Sequence, residues 1–397
     1  MTHTDYRITI VCTSAPWHPG PRARMLPLAQ YGAAHGMKVS LLCLDPHAAT
    51  EPTLPTQNGG VKIIPVAQMH VDNNGNPYHG LQLLSIVVSA TVALTRAIIR
   101  TRPTDIVIAK AQPMNGIAAL IAGWWCKARV HLDSDDNEAE SHQSADWFVI
   151  RLLGWCEHQL PRWVMTTTCA TDWQTTVLQR RGISAVTTIP NGLTTTQRTV
   201  PNESLLQTLR RRLQLPERYL VYVGNLSTRA HAVDLLIEAY AVAQVTVPLV
   251  IAGSGHDFAT LQRSADSLGI GNSLQWLGHL SPSDTQILLA GACASVDPVR
   301  DSSAAAARCP LKILESIAQR TPVITSDIGD RRVILGAAGI YPAAGDVQSY
   351  ADAIISICAD DAAPRDQFPS LDAYAWEYVA GRWYAAHAIH VTEVLYA

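Results

Sequence analysis

Charge is scarce in this chain. Only 16% of its 397 residues are Asp, Glu, Lys or Arg, and the two signs nearly cancel to a net −3, so it has no global attraction to nucleic acid. The one dense basic run, residues 210–212, lies among Leu205, Leu206, Leu209 and Leu213 and reads as the solvated face of a helix. Paired cysteine spacing is missing as well. Cys12, Cys43, Cys126, Cys156, Cys169, Cys293, Cys309 and Cys358 are scattered with no C-x-x-C, which excludes the usual zinc and dithiol patterns and fits reduced, mostly buried thiols in a cytoplasmic protein. No basic and then apolar leader precedes the strand-like residues 8–11, so no export signal is expected. The longest uncharged run, residues 81–95, is interrupted by Gln82, Ser85, Ser89, Thr91 and Thr95. It falls short of the roughly 20 residues that span a bilayer and reads as a core helix. No G-x-G-x-x-G follows the first strand, which argues against a nicotinamide dehydrogenase.

What is present is apolar and alternating. Hydrophobic residues make up 48% of the chain, enough for large interiors, and its length exceeds a usual single core, so two domains are expected. Strand patterns at residues 7–12, 37–44, 61–66, 105–109 and 128–132 alternate with helical ones at 24–35, 81–101 and 116–125. That alternation predicts a parallel sheet wrapped by helices. Residues 194–201 are threonine-rich, show no hydrophobic period and end in proline, so they read as a linker. The alternation then restarts at residue 219 and runs to 359. Two such halves, 1–195 and 202–373, would offer the carboxyl ends of their strands to a cleft between them. The tail, 374–397, carries Trp376, Val379, Trp383 and Ala386 on one helical face and is long enough to return to the first half. Residues 147–163 mix Trp147, Phe148, Trp155 and Trp163 with Arg151, His158 and Arg162. This suits a helix lying on a membrane surface, or a cover helix with ordinary aromatic packing.

The segment CPLKILESIAQRTPVITSD, residues 309–327, carries the most chemistry. Pro310 suits the first position of a helix. Residues 311, 313, 314, 317 and 318 form its apolar side, and 312, 315, 316 and 319 the opposite stripe. An acid would be favoured in the first turn, where the helix dipole is positive; the chain puts Lys312 there. A lysine beside a helix start makes sense if an anion such as a phosphate fills the space, and Glu315, one turn on, can accept both hydroxyls of a ribose. The alternative is an incidental i,i+3 ion pair. Elsewhere, Gly224, Gly253 and Gly255 end strands where backbone can approach a ligand closely. Asp133, Asp135 and Asp136 follow a strand and could orient a hydroxyl, grip a cation or cap the next helix, and Lys110 ends the neighbouring strand.

The ordered set IPNGL, VGNL, DLLIEA, IAGSG, LQWLGHL and CPLKILESIAQRTPVITSDIG, with PGPRAR and HGMKV upstream, resembles the retaining GT-B glycosyltransferases of family 4 type over nearly the whole chain. The resemblance implies an α/β GT-B fold: two Rossmann-like domains facing across a cleft, acceptor-binding first and nucleotide-sugar-binding second, with the last helix returning to the first domain. It implies a hexosyltransferase-type enzyme that moves a sugar from a nucleotide diphosphate sugar to a hydroxyl acceptor, which could be a glycan, a glycolipid or a small molecule. Cofactors and a metal are not expected.

Carried over residue by residue, Glu315 would hold the ribose, Lys312 would approach the phosphate or sugar, and Leu311 and Lys312 would offer backbone N–H groups. Gly20 would meet the diphosphate, and Gly278 with His279 would line the base pocket. The catalytic set is Arg229, Lys312 and Asp133. Donor contacts are Gly224, Asn225, His231, Gly253 and Gly255, and acceptor-side residues are Lys110, Asp135 and Asp136.

Three positions depart from the pattern. Ala307 stands where the first motif glutamate is usual, with Asp301 the nearest substitute; Asn225 stands for an arginine and His231 for a lysine. These departures motivate the alternative of a non-catalytic subunit or nucleotide-sugar-binding module. An epimerase or phosphorylase on the same double fold is a further rival. The expected setting is cytoplasmic, peripheral to a membrane through residues 147–163, with no nucleic-acid partner.

Overall fold

The structure is a computed structural model and describes residues 6–17, 22–45, 56–69, 78–141, 147–359 and 367–389. The chain divides into two compact units, Met1–Asn191 together with Trp376–Ala397, and Gly192–Ala375. Each is an α/β unit built on its own sheet.

Among the described residues the first unit holds eight strands: β1 (Arg7–Val11), β2 (Lys38–Asp45), β3 (Thr56–Asn58), β4 (Val61–Gln68), β5 (Asp105–Ala109), β6 (Arg129–Ser134), β7 (Thr166–Cys169) and β8 (Val186–Thr188). Their order is β3-β4-β2-β1-β5-β6-β7-β8. All pairs are parallel except β3 with β4. Central strands β1 and β5 are buried almost throughout, the near-continuous apolar run expected of strands covered on both faces. On one face the core joins helix Met25–Ala34 to the returning helix Trp376–Ala386. There the Tyr384 hydroxyl donates to the Leu28 carbonyl at 3.0 Å. A methyl at Gly32 would lie 2.0 Å from that hydroxyl, so only glycine admits the contact. The other face is covered by helices Gly80–Thr101, Pro113–Cys126 and Trp147–Trp163.

Among the described residues the second unit holds six strands, all parallel: β9 (Leu220–Val223), β10 (Leu249–Ala252), β11 (Leu274–Gly278), β12 (Ala294–Asp297), β13 (Val323–Thr325) and β14 (Gly339–Ile340). The order β11-β10-β9-β12-β13-β14 places the topological switch between β9 and its neighbours β10 and β12. Helices Val233–Ala243 and Val347–Ala359 fill one face of this sheet.

Three expectations are corrected here. Residues 194–201 are more than a linker: Thr195–Arg198 is one helical turn closed by a capping box, in which Thr194 and Gln197 satisfy each other's backbone N–H groups. The T-x-x-Q spacing carries that turn without any hydrophobic period. Pro310 is the N-cap, with extended backbone, and Leu311 opens the helix. Finally, helix Gly80–Thr101 runs 22 residues, long and apolar enough by composition to cross a membrane. It buries only Ala90, Leu94 and Ile98, so it covers the core with one side and leaves the other side open.

Candidate active site

The chemistry of the second unit gathers at the carboxyl ends of β9 and β12. Strand β12 ends on Asp297, which is buried and takes Lys312 Nζ on one oxygen at 3.1 Å and Arg331 Nε on the other at 3.0 Å. Lys312 comes from the first turn of helix Leu311–Ala318. Its ammonium lies 4.6 Å from the Tyr222 ring centre and donates to the Tyr222 hydroxyl at 3.5 Å. A Cβ added at Gly224 would stand 3.3 Å from it, so the charge sits beside the glycine that ends β9. Burial works to lower the Lys312 pKa, but the Tyr222 oxygen and the Asp297 carboxylate outweigh it and raise it. Burial likewise opposes ionisation of Asp297, yet Lys312 and Arg331 hold it well below the carboxylate range. Two cations therefore share one carboxylate, and the local excess is positive. His231 lies in the same field: burial first, then Lys312 and Arg308, push its pKa down to about 2, so its imidazole is neutral.

Glu315, on the same helix, turns to a different partner. Gln197 Nε2 donates to its Oε1 at 2.9 Å, while Gln197 Oε1 accepts from the Thr194 N–H at 2.9 Å. Burial lifts the Glu315 pKa to about 7 against the lowering effect of Gln197. The i,i+3 ion pair is thus not what the helix makes. The stripe 312, 315, 316 and 319 is engaged throughout: Ser316 bonds Ser295 at 2.7 Å and Gln319 donates to the Gln197 carbonyl at 2.8 Å.

The glycines work first on one another. Gly224 and Gly253 have φ of 149° and 150°, and a Cβ on Gly253 would lie 1.8 Å from the Gly224 carbonyl oxygen. Gly224 N–H donates to Ala252, Leu226 to Ser254 and Gly253 to Gly278, so the ends of β9, β10 and β11 are laced together, and Gly255 packs on Leu226. Asn225 and His279 are exposed on these loops, Arg229 is exposed on the helical turn Thr228–His231, Leu311 is half-buried, and Asp301 is exposed. Ala307 is fully buried. Gly20 lies outside the described residues.

In the first unit the carboxylates separate. Asp133 is fully buried and accepts from Arg24 Nε at 2.8 Å, Arg24 Nη2 at 3.0 Å, Thr168 at 2.8 Å and Trp383 Nε1 at 2.6 Å. With both oxygens engaged, it joins the sheet to the returning helix. Arg24 also donates to the Ile189 and Pro190 carbonyls. Lys110, in the left-handed region at φ 71°, reaches Glu138 at 2.9 Å, Asp135 at 3.7 Å and Asp136 at 3.9 Å. Burial raises the Asp135 pKa despite Lys110 and Arg24. Glu157 accepts from the N–H groups of Glu138 and Ala139, so the helix start after this loop is capped from another helix.

Asp297, Arg331, Tyr222, Gln197 and Arg24 are the participants not found from sequence. A carboxylate closing a strand next to the sheet's reversal is the one signal that pointed to Asp297; the others needed the fold.

A family model for "Glycosyl transferase 4-like domain" matches residues 19–192, and one for "Glycosyl transferases group 1" matches residues 207–369. A search of curated proteins finds no match. Among solved structures the chain is similar to sucrose-phosphate synthase (tll1590) from Thermosynechococcus elongatus, with TM-score 0.75 and 18% identity over 96% of this chain and 98% of that one. It is similar also to Alr3699/HepE of Anabaena solved with UDP and glucose, with TM-score 0.68 and 15% identity over 96% and 99%. A third similar structure is the apo lipopolysaccharide outer core galactosyltransferase WaaB, with TM-score 0.64 and 16% identity over 96% and 98%. Likeness at these identities carries the fold, and the two family models carry the rest. With a 4-like domain in its first unit and a group 1 domain in its second, the chain belongs to the family-4-type glycosyltransferases of GT-B fold.

Proposed function

We propose that this glycosyltransferase is a hexosyltransferase that takes its sugar from a nucleotide diphosphate sugar and gives it, with retention at the anomeric carbon, to a hydroxyl of a glycan, glycolipid or small molecule. The observation that carries the reading is Lys312, a half-buried cation in the first turn of a helix, set beside Gly224 where two cations share Asp297. An anionic diphosphate complements that charge. The likeness to a structure solved with UDP and glucose supports a uridine donor as the first to try.

In this reading the bond from the anomeric carbon to the diphosphate oxygen breaks with its electron pair left on the diphosphate. The acceptor oxygen bonds that carbon from the same face, and its proton passes to a diphosphate oxygen. Stabilising the leaving group is the main task; Lys312, Arg229 and the backbone N–H groups at Leu311 and Lys312 would perform it, with no metal assigned. His231, neutral at working pH, can donate a hydrogen bond but adds no charge. Glu315 would accept the ribose hydroxyls in exchange for its bond to Gln197. Gly278 and His279 would line the base pocket, and Lys110, Asp135 and Asp136 would meet the acceptor. A cytoplasmic enzyme held at a membrane by residues 147–163 suits a lipid-linked acceptor.

A second reading, a nucleotide-sugar-binding subunit without turnover, draws on Ala307, buried where a sugar-contacting glutamate is usual. Nucleotide release from UDP-, GDP- and ADP-sugars separates the two. Binding without release across acceptors of all three classes overturns the enzyme reading. Glu315→Ala is expected to abolish the thermal stabilisation by the nucleotide that protects the parent, with the unliganded melting point nearly unchanged. Undiminished stabilisation would remove Glu315 from the ribose.

A further inference from the structure

Among the described residues, three helices of the first unit leave large apolar and cationic side chains exposed. Helices Gly80–Thr101, Pro113–Cys126 and Trp147–Trp163 share one core on one side of the sheet, so their outward sides face the same way. On the first helix Leu81, Leu84, Val88 and Val92 are exposed, Leu81 by 85%. These residues recur every three or four positions, on the side away from Ala90, Leu94 and Ile98. On the second, Ile117, Ile121, Trp124 and Trp125 are exposed, Trp124 by 81%, while Ala118, Ala119 and Ala122 face the core. On the third, Trp147, Phe148, Trp155 and Trp163 are exposed, Trp147 by 70%, while Leu153, Cys156 and Leu160 face inward. Helix Pro113–Cys126 packs against both of the others; a methyl at its Gly116 would lie 2.7 Å from Leu160 Cδ1. A cover helix would turn these large side chains inward; here they are turned out.

Charge selects the occupant. The same helices and their ends expose Arg96, Arg100, Lys127, Arg151 and Arg162. Their 53 positions include one acid, Glu157, and its carboxylate is turned toward the N–H groups of Glu138 and Ala139. In a chain of net −3, the charged side chains exposed on this face are cationic. Tryptophans interleaved with arginines are the composition that settles at the boundary of acyl chains and headgroups, and a polybasic rim adds attraction to anionic lipid.

We infer that this three-helix face is a docking surface for an anionic lipid bilayer, wider than the helix of residues 147–163 singled out by its sequence. It stands on the first unit alone and is independent of the donor.

The test is co-sedimentation of the full chain with vesicles of phosphatidylcholine alone and of phosphatidylcholine with phosphatidylglycerol, with tryptophan emission recorded alongside. Binding is expected to the anionic vesicles, with blue-shifted emission and a loss on raising salt. Trp124→Ser with Trp125→Ser is expected to lower the partition coefficient by at least about tenfold, and Arg96→Gln with Arg100→Gln by a similar factor. Circular dichroism and melting should match the parent, because all four side chains are exposed. Equal binding to neutral vesicles, no binding to either, or unchanged partition in both variants would overturn the inference. A dimer in sedimentation equilibrium that the tryptophan substitutions abolish would overturn it too, by assigning the face to a second copy.

Discussion

Glu315 sits where its own charge is costly, and Gln197 is the neighbour that makes ionisation tolerable. Its folded-state pKa of about 7 stands above the ordinary 4.5. Between those values the folded chain keeps a proton that the unfolded chain has released, so the contribution of Glu315 to stability falls as pH rises through that window and levels off above about 7. A ribose that needs the ionised form binds with the opposite trend: nucleotide affinity is expected to rise about tenfold per pH unit up to about 7 and then flatten. Glu315→Gln should remove both slopes, which calorimetric titration and denaturant midpoints across that range will read. A pH-dependent affinity surviving in the variant would place the titrating group elsewhere. The Lys312 and Glu315 pair was legible from spacing and helix polarity; Asp297, Tyr222 and Gln197 were not, because each is brought in from a different strand or loop.

Among elements, the capped turn Thr195–Arg198 shows how a few polar side chains replace a hydrophobic face. Its stability comes from the Thr194–Gln197 box and from Gln319 donating to the Gln197 carbonyl. Thr194→Ala is expected to lower the unfolding free energy by about 1 kcal/mol, measured by urea titration. No change would mean that docking on helix Leu311–Ala318 suffices without the box. Strand and helix alternation was readable because apolar period survives in a linear sequence. The turn and the strand Thr166–Cys169 were missed because threonine-rich segments carry no such period. The helix start at Leu311 differed by one residue from the expected one, since Pro310 serves equally well as cap or first residue.

For the whole molecule, the returning helix decides whether the first unit is complete. Trp383 is fully buried and donates to Asp133, and Tyr384 closes on Gly32. A chain ended at Ala375 would open that core and take the Trp383 N–H from Asp133, a loss well beyond the about 3–5 kcal/mol of a single buried aromatic. Hydrogen exchange on such a truncated chain is expected to show loss of protection in β1, β2 and β6, while β9, β10 and β12 stay protected. Protection retained in the first unit would mean that its core closes without the helix. The tryptophan spacing at 376 and 383 announced a buried face, but its partner lay nearly the whole chain away.

Local order was determined by the sequence itself: which stretches are strands or helices, which glycines end strands, and where a cation meets a helix start. These depend on neighbours a few residues apart. Tertiary structure alone decided that Asp133 is buried under Trp383, that Lys312 pairs with Asp297 while Glu315 pairs with Gln197, and that three helices of the first unit leave large apolar side chains exposed. The reason is physical. Burial and partner identity are set by contacts between distant segments, and the same carboxylate or tryptophan becomes core, clamp or surface according to what the fold lays against it.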